Sequence, residues 1–575
     1  TAFSQDLDND SQIGEPDTNV NLTSWTKIGS DINGEGSLDY SGWSVSLSSD
    51  GTVLAVGSIE SNNGRGYTRI YKYLEGSWSQ LGGDILGEAE GDRFGNSLSL
   101  SSDGTVLAVS GITNDGNGIS SGHTRIYKYS SSTGNWIQQG EDINGKAAGD
   151  LSGVSVSLSS DGKVVAIGTD DHNSSDNISP YTSIYRYSSS TGNWSQLGAD
   201  IIGEPKWGYA GNNTVSLSDD GTIVAIGAYR FDGNGENSGG TRIYQYSSST
   251  GIWSQLGQDI LGEAEEDNSG RSVSLSSDGS VIAISASGND RNGTKSGLTR
   301  IYKYSSTTGI WSQLGQDILG EDSFDNSGWS VSLSADGSVV AIGATGNDGK
   351  NGINSGHTRI YKYSSSSSSW IQRGKDIDGE ATDDISGYSV SLSADGSVVA
   401  IGAPYNDGTG IESGQVRIYQ FSDPTTIPTT TISAVSSSII NSYYKVGDAI
   451  PISITFSTAV TVDTTNGIPT LELETGITNR TAIYTSGSGS STLVFSYNVQ
   501  AGDTASDLDY TSTSALKLNK GIIKDIKGND ANLTLPSPGE AGSLGANKTL
   551  IIDTRAPGAP NSLTNTSSRN NNTPT

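Results

Sequence analysis

The chain has 575 residues, with 63 acidic against 33 basic side chains and a net charge of −30. Such a polyanion argues against nucleic acid as a partner, because phosphates would be repelled. The absence of Cys removes disulfides, zinc–thiolate sites and cysteine nucleophiles together, and no apolar run approaches the roughly 20 residues that span a membrane.

Residues 1–24 form an acidic N-terminal segment or linker. Within it, Asp6, Asp8 and Asp10 place oxygens at alternate positions, and Asp17 supplies a carboxylate at the twelfth. That spacing resembles an EF-hand-type loop, which makes these four aspartates the expected metal ligands and Ca²⁺ the expected cofactor. Ser11 stands where a glycine normally makes the sharp turn, and an acidic solvated linker is the other reading.

From residue 25 the chain repeats. Trp25, Trp78, Trp136, Trp194, Trp253, Trp311 and Trp370 stand 53, 58, 58, 59, 58 and 59 residues apart, and an Asp-Gly pair from Asp50-Gly51 to Asp395-Gly396 keeps the same beat. In the sixth copy, Ser330–Ser334 alternates apolar and small polar residues and runs into Ala335-Asp336-Gly337, a hairpin signal. Val339–Ala344 is continuously apolar, so a strand buried on both faces is expected. Thr358–Tyr363 and Trp370–Gly374 follow as third and fourth strands. Four antiparallel strands make a propeller blade, and seven copies predict an all-β, seven-bladed β-propeller over residues 25–422. The first fourth-strand segment, Trp25–Gly29, precedes any complete copy, and the last copy stops at its third strand, Val416–Phe421. The N-terminal strand is therefore expected to complete the last blade and close the ring.

The opening Phe94-Gly95-Asn96-Ser97-Leu98-Ser99-Leu100 and the closing Val398-Val399-Ala400-Ile401-Gly402-Ala403-Pro404 resemble the FG-GAP repeats of integrin α chains and bacterial surface proteins. The likeness runs over about residues 25–421. It implies a propeller that binds ligands outside the cell. Calcium-binding members carry a long acidic loop between the first two strands; here that hairpin is only Ser-Asp-Gly or Ala-Asp-Gly in most copies, so calcium is not expected there.

Residues 423–429 read as a Pro/Thr linker. Ile450–Phe456, Pro469–Leu473 and Leu493–Tyr497 then alternate as short strands, and residues 430–555 suit a Greek-key β-sandwich. Tyr443–Asp448, Leu508–Ser512 and Ile552–Pro557 resemble the Ig-like modules strung along bacterial adhesins. Residues 556–575 read as a linker into another module, so further modules of the same polypeptide are expected.

Chemistry-bearing residues recur with the repeat. An arginine in the third strand (Arg69, Arg125, Arg242, Arg300, Arg359, Arg417; Ser183 in the third copy) is expected to fork onto a blade carboxylate such as Asp31, Asp84 or Asp142. Asp39, Asp92, Asp150, Asp267, Asp325 and Asp384, with Asn-Asp-Gly loops such as Asn114–Gly116, offer oxygens for a hard cation or simply make turns. Two of the three histidines, His123 and His357, sit at matching points, and recurrence favours a structural role over a catalytic triad. The residue before the first strand varies most: Trp43, Asn96, Val154, Asn213, Arg271, Trp329 and Tyr388. Its aromatics fall on blades that become neighbours on closure, with Arg271 beside them, so Trp43, Arg271, Trp329 and Tyr388 are the expected ligand-binding residues. Plugging the channel is the competing role.

The sequence thus reads as a non-enzymatic, extracellular, cell-surface adhesion or binding module, presenting a propeller face to a glycan or protein ligand on an Ig-like stalk. A structural subunit of a surface layer, filament or viral fibre, and a carbohydrate-active enzyme, are the two alternatives.

Overall fold

The computed structural model describes residues 24–170, 180–203, 214–422, 430–525 and 530–555. Asp6, Asp8, Asp10, Asp17, His172 and Asn213, and the linkers at 423–429 and 556–575, lie outside the described residues. The chain divides into two compact units, residues 1–424 and 425–575.

The first unit consists of seven antiparallel sheets of five strands each. Sheet six shows the pattern: Ser327–Leu333, Val339–Ala344, His357–Ser364 and Ser369–Gln372 pair in order, and a two-residue strand, Ile377–Asp378, pairs with His357–Thr358 beside the fourth. The fifth strand departs from the expected four. Its two residues are too few to show periodicity. The second strand is buried throughout, as its apolar run requires between two neighbouring sheets. At the hairpin, Asp336 accepts from Ser334 Oγ (2.7 Å) and the Ser338 amide (2.9 Å). Gly337 has φ 70°, and a Cβ there would lie 2.8 Å from Val281 Cβ of sheet five, so this glycine serves both the turn and the packing.

Two sets of hydrogen bonds close the sheets into a ring. In the innermost strands, Leu100, Leu158, Leu217, Leu275, Leu333, Leu392 and Leu47 donate their amides to Ser46, Ser99, Ser157, Ser216, Ser274, Ser332 and Ser391 Oγ of the preceding sheet, each at 3.0 Å. The adjacent Ser-Leu pair of the first strand therefore points leucine into the inter-sheet core and serine across to the next sheet. Further out, the repeated tryptophans do the same work. Trp370 Nε1 donates to Leu314 O (2.8 Å) and Trp25 Nε1 to Arg373 O (2.6 Å), and the other five repeat this across their own boundaries. Each indole rests on a glycine ending the previous fourth strand; a Cβ on Gly315 would sit 2.7 Å from Trp370 Cδ1. This is a β-propeller.

The last sheet is built from both ends of the unit. Ser24–Lys27 pairs antiparallel with Gln415–Ser422, Trp25 opposite Phe421, and Ile32–Asn33 pairs with Val416 and Gln415.

The third-strand arginines divide into two groups. Arg69, Arg125, Arg242 and Arg300 fork onto Asp84, Asp142, Asp259 and Asp317 through Nε and Nη2 at 2.7–2.9 Å. In sheet three Ser183 Oγ donates to Asp200 instead (2.6 Å). Arg359 and Arg417 depart from the expectation: they donate to the carbonyls of Leu319 and Asp378, and Asp31 pairs with Lys27. The guanidinium of Arg69 holds Asp84 below the usual carboxylate range, and Arg242 does so for Asp259. A carboxyl depressed by folding contributes stability above its unfolded pKa, near 3.9, and loses it as pH falls through the folded value. Acid melts of Asp84→Asn and Asp259→Asn are therefore expected to differ from the parent at pH 6 and to converge on it as the pH falls below the unfolded carboxylate range. A pH-independent gap would refute the forks as the source.

The second unit holds an eight-stranded and a three-stranded sheet. Its longest strand, Ala449–Asp463, pairs antiparallel with Ser490–Asn498 along one part and with Ile522–Asp525 along another. Their inward residues, among them Ile452, Ile454, Phe495 and Tyr497, form its core. Ser442–Tyr444 and Leu550–Asp553 pair in parallel.

Candidate functional site

In the six sheets where it is described, the residue before the inner strand's Ser-x-Ser-Leu run is aimed by its glycine neighbour. Gly42 and Gly387 have φ 89° and 88°, and a Cβ on either would meet a carbonyl oxygen at 2.7 or 2.6 Å. The next amide then turns back: Trp43 N donates to Tyr40 O, Trp329 N to Asn326 O and Tyr388 N to Ile385 O. These turns deliver the variable side chains to one face of the ring, where the strand-two-to-three loops also end.

There the structure brings together the four residues the sequence singles out. Arg271 Cζ lies 3.5 Å from the Trp329 ring centroid. Trp329 meets Tyr388 at 5.7 Å, and Tyr388 meets Trp43 at 4.6 Å, both rings tilted by about 45°. All four are partly exposed, so they form a continuous half-buried stack across sheets five, six, seven and one. Burial pushes the Arg271 guanidinium down and the Tyr388 phenol up. Arg271 Nε has no hydrogen-bond partner, and Tyr229 flanks the guanidinium on its other side at 5.4 Å. Asn96 differs: its amide donates to Val154 O within the ring.

The stack runs into a cleft that sequence reasoning missed. Tyr40 packs edge-on against Trp43 (6.4 Å) and Tyr405 (5.2 Å). With Glu60, Asn63 and Arg93 they line a cleft of about 720 Å³. Arg93 pairs with Glu60 at 2.8 Å on its rim. Tyr40 donates to Glu412 (2.5 Å), and this bond pushes its phenol up to about 12. The cleft lies at sheet one, whose strand-two-to-three loop is short and lines it. Gly57 and its partner Thr68 are 11 residues apart, against 14 for Ser110 and Thr124 in sheet two. The signal was present as the one short Trp spacing, 53 residues.

The repeated acids are occupied by turns. Asp39 accepts from the amides of Glu35 and Gly36, and Asp92, Asp267, Asp325 and Asp384 repeat this pair of bonds. Asn114, Asn289, Asn347 and Asn406 reach from the other loop family to donate to Asp92, Asp267, Asp325 and Asp384. The two loop families meet on one face as expected, joined by these amide–carboxylate bonds.

Among known proteins, no family model and no curated sequence matches this chain. Solved structures with a similar course include hydrazine synthase from Kuenenia stuttgartiensis, at 13% identity and a TM-score of 0.41 over 65% of this chain and 94% of that one. The Dos1 propeller aligns at 14% identity and a TM-score of 0.39, over 68% and 95%. The periplasmic gluconolactonase of Pseudomonas aeruginosa aligns at 16% and 0.40, over 59% and 85%. At these levels the fold rests on this chain's own sheet order.

Proposed function

We propose that this chain is a non-catalytic binding module of a cell surface: a seven-bladed propeller of the FG-GAP type that engages a glycan at its aromatic mouth, carried by an Ig-like stalk unit. The observation behind this reading is the stack Arg271–Trp329–Tyr388–Trp43 leading into a cleft with a polar rim. Flat aromatic faces accept the apolar face of a sugar ring, and the Arg93, Glu60 and Asn63 side chains around them can bind hydroxyls. The carboxylates of the repeat are engaged in turns and Arg forks, which favours binding over acid–base catalysis. An extracellular setting suits the acidic surface, and calcium held by Asp6, Asp8, Asp10 and Asp17 belongs to the same reading.

A glycan array probed with the chain is expected to give a small family of hits that Trp43→Ala loses. An array blank at every concentration would remove the glycan and leave a protein ligand. Calcium is expected to raise the melting temperature in low salt, as any ligand of the folded state must. No shift on chelator titration, and none on re-addition of calcium, would remove it.

A further inference from the structure

His357 opens the third strand of sheet six and is 1% exposed. Its Nδ1 lies 3.9 Å from Glu321 Oε2 and 3.9 Å from Asp376 Oδ2, beyond hydrogen-bond reach of either, and its Nε2 has no partner. The three donor atoms lie within 4.8 Å of one another. A buried imidazole aimed between two carboxylates without bonding either is an unsatisfied arrangement, and buried polar groups are rarely left so.

We infer that Glu321, His357 and Asp376 bind one divalent transition-metal ion of the Zn²⁺ class. One imidazole and two carboxylates suit such an ion, which binds nitrogen and oxygen at about 2.0–2.2 Å and tolerates a fourth, open position. Ligand atoms around a tetrahedral ion of that size stand about 3.4 Å apart, so each imidazole–carboxylate separation must close by about 0.5 Å and the two carboxylates, within 4.8 Å of each other, by at most about 1.4 Å. Asp376 lines a cleft of about 720 Å³ with Gln372, Lys375 and Arg417, which gives the ion a route in.

The neighbouring cations do not fill the site. Arg359 reaches Glu321 with Nη1 at 3.2 Å but sends Nη2 to Leu319 O, and Lys350 pairs with Asp378 at 2.9 Å. The twin cluster in sheet two, Glu88, His123 and Asp142, differs on this point. There Arg125 forks both oxygens of Asp142 and also pairs with Glu88, so a guanidinium already stands between the acids. The twin is therefore an internal control.

The test is equilibrium dialysis of the full chain against Zn²⁺ at physiological ionic strength with excess Ca²⁺, followed by metal analysis, with Co²⁺ as an optical probe. One retained Zn²⁺ is expected, lost in His357→Ala and in the isosteric Asp376→Asn, kept in His123→Ala. Metal-free melts of each variant show whether it folds, and Asp376→Asn preserves shape where His357→Ala does not. Co²⁺ is expected to give visible bands that vanish in the same two variants. No retained ion, or one that folded Asp376→Asn still holds as tightly as the parent, overturns the site.

Discussion

Removing residues 24–29 is expected to cost the propeller of order 3 kcal/mol or more and to make it self-associate. The estimate starts from the low end for truncating a packed tryptophan. Trp25 stacks on Phe421 at 5.2 Å, packs against the core between sheets six and seven, and donates to Arg373 O across the sheet boundary. The deletion also bares the edge of the eight-residue strand Gln415–Ser422 from Ile418 onward, where Ser24–Ile28 pairs, and an unpaired edge recruits other strands. Chemical denaturation measures the first effect and size-exclusion chromatography the second. Trp25→Ala, which keeps the backbone pairing, is expected to lose stability yet remain monomeric. A deleted protein as stable and monomeric as its parent would contradict closure by this strand.

Replacing Trp43 or Trp329 by Ala is expected to weaken glycan binding by about 1–3 kcal/mol, roughly 5- to 150-fold, the range for an anchoring aromatic. Both rings are partly exposed, so folding should suffer less than binding. Trp329→Ala carries a further effect, since it removes the ring on which Arg271 lies. If the rings serve only to plug the channel, the order reverses: denaturation midpoints fall while the titration of the array hit is unchanged. Measuring both quantities on each variant decides between the two roles.

The repeat was legible because every copy carries the same physical burden. Trp370 and its six equivalents must each reach a carbonyl of the preceding sheet over a glycine, and that requirement recurs with the sheets. The mouth was legible for the opposite reason: Trp43, Arg271, Trp329 and Tyr388 occupy the position that the frame leaves free to vary. What escaped is set by pairing between distant segments. Asp376 meets His357 because Ile377–Asp378 folds back beside His357–Thr358, and Glu321, 36 residues before His357, follows the equally short strand Ile318–Leu319 of sheet five; both strands are too short to predict. The cleft at Tyr40 escaped because Tyr405 and Glu412 come from the far end of the unit. Arg359 and Arg417 look identical to the other arginines in sequence, and their different partners reflect local carbonyls that no spacing reveals.

The pairing of Ser24 with Ser422 has a mechanical consequence. In this antiparallel register the chain enters and leaves the clasp at the same end. A pull applied between those two residues would load its hydrogen bonds one after another, like a zipper, rather than together in shear. Single-molecule stretching between positions 24 and 422 should therefore open the ring at low force, releasing Trp25 before any other sheet yields. A ring clasped this way yields first at its own ends.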